Sequence, residues 1–141
     1  MWTVKNSVGR LVEAEITRLG PGEMQAFVAG IVAAVDHSSL PVVGIMDMSR
    51  VRVFAPEDAT LLLEVMRRDN PRVERTAIII NGEVLFTMQM ERLLLHSGSR
   101  ARRLFKSLDD AISWLNEVFT PEEAARAREL RALALLSGTR S

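Results

Sequence analysis

The sequence contains no cysteine, which excludes disulfides and any zinc or iron–sulfur site built on thiolate ligands. Net charge is missing too, because 18 basic residues cancel 18 acidic ones. A dedicated nucleic-acid binder normally carries a basic excess or stripe to neutralise phosphates, so no nucleic-acid partner is expected. The same balance supplies no pull toward anionic lipid. Long hydrophobic runs are also lacking. The longest apolar stretches, such as FVAGIVAAV at 27–35, fall short of the roughly 20 residues that cross a bilayer, so no membrane insertion is expected. The first fifteen residues, MWTVKNSVGRLVEAE, hold no basic segment followed by a continuous apolar one, the pattern of an export signal. The expectation is a soluble cytoplasmic protein.

What is present is the material of an ordinary globular chain: 48% hydrophobic and 26% charged residues over a length of 141. A chain near that size buries roughly 70% of its unfolded surface in one domain without staples. The hydrophobic pattern then changes period along the sequence. Residues 2–18 alternate loosely, with Val12, Ala14 and Ile16 on one side, and predict either one strand or two, the two forming a hairpin that turns near Asn6 and Ser7. After Gly20-Pro21-Gly22, the positions Met24, Phe27, Val28, Ile31, Val32 and Val35 recur at three- and four-residue steps and predict a helix.

PVVGIMDM at 41–48 is continuously apolar, as a strand covered on both faces should be. Pro56 suits a first helical position, with Glu57 and Asp58 placed where the helix dipole favours acids, and Asn70-Pro71 ends that helix. TAIII at 76–80 is a second buried strand. EVLFTMQMERLLLH at 83–96 fits both periods, and its length selects a helix. ARRLFKS at 101–107 reads as a short edge strand. Ser107 and Asp110 form a capping box, after which Ala111, Leu115, Val118 and Phe119 share a face. Thr120-Pro121-Glu122-Glu123 opens a last helix reaching about residue 136, followed by a frayed tail. Alternating strands and helices imply an α/β fold with a largely parallel sheet of about five strands.

Chemistry-bearing clusters are scarce. His37 and His96 stand at predicted helix ends, where capping or exposure explains them, and neither has a partner at metal-ligand spacing. No metal site and no cofactor are expected. Nucleophile elbows, Walker loops and dinucleotide fingerprints do not occur. HSGSR at 96–100 reads as a solvated turn, and Arg100, Arg102 and Arg103 as a solvated strand edge. Asp47 and Ser49 stand at the carboxyl end of a buried strand, the position of working residues in open α/β sheets, though turn chemistry accounts for the pair equally well.

The segment PVVGIMDMSRVRVFAPEDATLLLEVMRR resembles the centre of the STAS domain, named for sulfate transporters and anti-sigma-factor antagonists. In that family a hydrophobic strand ends in Asp-Leu-Ser, a V-x-F/Y-I segment follows, and a helix begins at Asp-Ser-Ser-Gly. Asp47, Met48 and Ser49 correspond to the first element, and Val51, Val53 and Phe54 to the second. With RRLFKSLDDAISWL near the end, the chain is most similar to stand-alone bacterial SpoIIAA-like proteins. The resemblance implies a STAS-like domain over residues 1–119, with 120–141 an added C-terminal helix and tail packed on that domain or on a partner. Where the antagonists carry Asp-Ser-Ser-Gly, this chain has Ala55-Pro56-Glu57-Asp58, and neither proline nor glutamate accepts phosphate.

The resemblance therefore implies a non-enzymatic regulatory module. It would offer a joint of Asp47, Ser49, Phe54, Pro56, Glu57 and Asp58 to a protein partner or a second copy, without the usual phosphorylatable serine. Glu57 and Asp58 would imitate a phosphoserine's charge or simply stabilise the first helical turn. SpoIIAA-like proteins also share their architecture with CRAL-TRIO lipid-binding domains. The alternative is thus a carrier of a small apolar ligand, lined by Met46, Phe54, Met66, Phe86, Met88 and Met90.

Overall fold

A computed structural model describes residues 1–137. The elements run β1 (Trp2–Val8), β2 (Leu11–Ile16), α1 (Glu23–His37), β3 (Val42–Asp47), α2 (Pro56–Asp69), β4 (Val73–Ile79), α3 (Val84–Ser97), β5 (Arg102–Phe105), α4 (Leu108–Leu115) and α5 (Pro121–Ser137). The strands form one sheet in strictly sequential order, with β1 antiparallel to β2 and the remaining pairs parallel. An unbroken 1-2-3-4-5 order has no point at which neighbouring crossovers part to opposite sides. The crevice that usually holds ligands in doubly wound sheets is therefore not built here.

The two-residue period of the strands sorts their side chains to two faces. Val12, Ala14, Ile16, Val42 and Ile78 meet Phe27 and Ile31 of α1, Leu62 and Met66 of α2, and Phe86 and Met90 of α3. Leu11, Val43, Ile45, Ala77 and Ile79 meet Ala111 and Leu115 of α4 on the other side. Trp2 reaches from the edge strand and packs edge to face on Phe27, with ring centroids 5.9 Å apart. The ambiguous segment at 83–96 follows the helical period: Phe86, Met90 and Leu93 are buried while Val84 and Met88 are exposed.

The first hairpin turns at Gly9 and Arg10 rather than near Asn6 and Ser7. Gly9 takes a positive φ of 52°, a left-handed conformation that glycine adopts at little cost. A Cβ there would lie 2.7 Å from Glu123 Oε2. Asn6 remains in the strand, and its side-chain amide donates to the carbonyls of Gly9 and Leu11 at 3.3 and 2.7 Å.

Helix starts follow the expected chemistry at the C-terminal end of the chain. Ser107 Oγ accepts from the Asp110 amide at 3.1 Å. Thr120 Oγ1 accepts from the Glu123 amide at 3.2 Å while Glu123 Oε1 accepts from the Thr120 amide at 3.0 Å, a reciprocal capping box. Most of the tail expected to fray lies outside the described residues.

Arg102 departs from the expected solvated edge. It is buried on the helix-covered side of β5, donating to Asn70 Oδ1 at 2.5 Å and to the Met66 carbonyl at 3.0 Å. A cation satisfies the open carbonyls at the end of α2, which is why a charged residue is stable on an inward strand position.

Candidate functional site

At the carboxyl end of β3 the chain passes Asp47 and Ser49 before α2 begins. Asp47 Oδ1 accepts from the Ser49 amide at 2.9 Å and from the Ser49 hydroxyl at 2.6 Å, so the pair closes the turn upon itself. Met48 and Val51 are buried beneath it. Phe54 is buried as well, meeting Phe86 edge to face with centroids 5.4 Å apart. Two side chains fasten this loop to its surroundings. Gln89 of α3 accepts from the Phe54 amide at 2.8 Å and donates to the Phe54 carbonyl at 2.9 Å, and Asn81 donates to the Val51 carbonyl at 3.0 Å.

The six joint residues thus divide. Pro56 and Glu57 are exposed, Asp47, Ser49 and Asp58 are half-buried, and Phe54 is an internal anchor. No hydroxyl stands between Ala55 and Asp58, and α2 begins without a side-chain cap.

Pro56 also borders a groove of about 470 Å³ between α2 and α3, together with Ala59, Leu63, Leu85, Met88 and Arg92. Leu85 is 75% exposed and Met88 53%. These uncovered side chains of α3, beside Pro56 and the half-buried Ala59 and Leu63 of α2, form the kind of apolar patch that marks an interaction surface. Of the groove's residues Pro56, Met88 and His96 stand out in the sequence, His96 only as a helix-end residue. Leu85 and Arg92 were legible only as positions left outside the buried Phe86–Met90–Leu93 stripe.

The proposed ligand-lining residues do not gather around one space. Met46 and Met66 border a small cleft of about 40 Å³ above Gly44, Met88 borders the outer groove, and Phe54, Phe86 and Met90 border neither. Sites for small ligands typically span about 300 to 1,000 Å³, so this cleft is of water size. Thr76, Asp69 and Arg102 supply its polar wall. Asp69 is 2% exposed; its Oδ1 accepts from Arg68 at 2.5 Å, and Oδ2 has no partner among the described residues. Burial pushes the Asp69 carboxyl up, with Arg68 and Arg102 opposing it, and burial likewise lowers the Arg102 guanidinium.

A second polar cluster joins α5 to the first hairpin. Glu123, 1% exposed, accepts from the Arg10 amide at 2.8 Å and from its guanidinium at 2.9 and 3.2 Å. Arg10 also bonds Glu74 and the Val118 carbonyl. Burial alone would raise the Glu123 carboxyl, but the bonds from Arg10 and Thr120 outweigh it and hold the group below its ordinary range. One turn on, Arg126 holds Glu13 at 2.7 and 2.9 Å through two nitrogens. No group of three or more metal-binding side chains occurs among the described residues, and His37 and His96 are exposed at helix ends. No described helix is long and apolar enough to cross a membrane.

The sequential mixed sheet with helices on both faces defines the class as an α/β sandwich. Among solved structures, the chain is similar to an uncharacterized protein of the DUF3478 family with a SpoIIAA-like fold from Shewanella loihica PV-4. The TM-score is 0.59 at 16% identity, over 81% of this chain and 93% of that one. The fold expected from the sequence is therefore present: this is a SpoIIAA-like fold. No protein-family model and no curated protein sequence matches the chain.

Proposed function

We propose that this chain is a non-enzymatic binding module that receives a segment of another protein along the α2–α3 groove, with the joint at Pro56 and Glu57 forming one end of the docking surface. The observation that carries the reading is the exposed apolar lining of that groove. Leu85 and Met88 stand uncovered beside Pro56 and Leu63, in a molecule whose remaining large apolar side chains are mostly inside. The fastened loop supports it, since Gln89 and Asn81 present the joint in one conformation and spare a partner the ordering cost. With proline and glutamate where the resemblance would place a phosphorylated serine, docking is not switched by a kinase at that position. Asp47 spends one oxygen on the amide and hydroxyl of Ser49 within its own turn, so the pair is read as turn chemistry that shapes the joint.

The volume of the outer groove, about 470 Å³, favours one second reading, a small apolar ligand held there instead of a protein segment. Affinity capture with the purified chain and with Leu85→Glu/Met88→Glu tests the first reading. Partners retained by the wild type and lost by the variant support it; an identical set with both overturns it. Native mass spectrometry separates the readings, because co-purifying apolar mass that disappears in the same variant selects the ligand.

A further inference from the structure

Two uncovered apolar stripes exist on this chain, on opposite sides of the sheet, and their spacings match. On α3 the groove presents Leu85, Met88 and Arg92, steps of three and then four residues along one helical face. The Arg92 side chain has no hydrogen-bond or ion-pair partner among the described residues. On α5 the outer face carries Glu129, Leu133 and Leu136, steps of four and then three. Leu133 is 54% exposed, Leu136 83% and the Glu129 side chain 66%. The inward side of α5 is committed elsewhere, through Glu123, Ala127 and Leu130.

Laid antiparallel, the two stripes pair Leu136 with Leu85, Leu133 with Met88 and Glu129 with Arg92. A parallel arrangement instead sets Leu85 against the Glu129 carboxylate and Arg92 against Leu136. Spacing and charge therefore select one direction. Glu129 now accepts from Arg126 at 2.8 Å, an exposed contact of the kind that exchanges readily for another cation. Arg126 keeps its two bonds to Glu13 in either case.

We infer that the occupant of the α2–α3 groove is the end of α5 from a second copy of this chain. One copy cannot satisfy itself. Its α5 is held to the first hairpin by Glu123–Arg10 and Arg126–Glu13 and packs with the α4 side of the sheet, whereas the groove lies on the side of α1, α2 and α3. The contact is heterologous, the tail of one copy in the groove of another. It rests on the reading of the groove as a docking surface and names the partner.

Analytical ultracentrifugation over a concentration series tests this through complementation. The wild type associates with concentration. Met88→Glu and Leu133→Glu/Leu136→Glu are each monomeric, and an equimolar mixture of those two variants regains a heterodimer, because it keeps one intact groove and one intact tail. Arg92→Glu weakens self-association about tenfold, and adding Glu129→Arg restores it, as expected for a close charge pair. All these positions are exposed, so unchanged circular dichroism and unfolding midpoints confirm that the variants fold. A wild type that stays monomeric, association that survives Met88→Glu, or a mixture that stays monomeric each overturns the inference. A monomeric wild type that still loses its captured partners in Leu85→Glu/Met88→Glu overturns the self-pairing and leaves the docking surface standing; no self-association and no groove-dependent capture overturn both.

Discussion

On one side of the sheet α1, α2 and α3 are held by aliphatic and aromatic side chains, with Phe27, Leu62 and Phe86 all but fully buried. On the other side α5 is held largely by charge. Its pattern hardly distinguishes an apolar from a polar face, and its fully buried side chains are Glu123 and Ala127. The two solutions do different work. Apolar burial is non-directional and supplies most of the stability, whereas a buried ion pair roughly balances desolvation against attraction but tolerates only one geometry. The Glu123 carboxylate, against Gly9 and the Arg10 amide and guanidinium, sets where α5 sits. This leaves the outer stripes of both regions free for contacts with other molecules.

The comparison can be sharpened by mutation, beginning on the apolar side. Phe27→Ala removes a fully buried ring and its contact with Trp2, and should cost about 3 to 5 kcal/mol in urea unfolding. A loss under about 1 kcal/mol would show that the α1 side is not the main source of stability. Glu123→Ala should cost about 2 to 3 kcal/mol, because the backbone amides of Arg10 and Thr120 lose their buried acceptor while the Arg10 guanidinium keeps only Glu74 and the Val118 carbonyl.

The pH response carries the sign of the same pair. Because the folded-state pKa of Glu123 is held below the ordinary 4.5, its contribution is present above that value. It is lost as the pH falls through the lowered one. Glu123→Gln should therefore flatten the fall of stability with acidification below about pH 5. An unchanged acid limb would mean that the carboxylate contributes nothing to stability. The smallest effect belongs to the outer groove. Met88→Ser should shift stability by no more than about 0.5 kcal/mol, since the side chain is already half in water. A larger loss would place Met88 in the core and remove it from the docking surface.

Much of this architecture was legible in the chain. The three- and four-residue steps from Met24 to Val35, the continuous runs at 41–48 and 76–80, and the capping boxes at Ser107 and Thr120 each prescribe local structure. The observed elements follow them closely. The joint was legible as a place, since Pro56-Glu57-Asp58 marks a helix start after a buried strand. What it contributes was not. Phe54 turned inward, and the side chains that fix the loop, Gln89 and Asn81, come from about thirty residues away. The burial of Arg102 is not legible in the sequence, because strand alternation says only that a residue faces one side. Whether that side offers open carbonyls depends on where α2 ends in space.

The sequence by itself determined the element order, the period of each segment and the α/β class, because these depend on interactions within a few residues. Only the tertiary structure decided which charges are buried, that Glu123 meets Arg10 across 113 positions, and that Leu85 and Met88 of α3 line up beside Pro56 and Leu63 of α2. Those pairings join residues far apart in the chain. Their energies are set by burial and geometry, which no local pattern encodes.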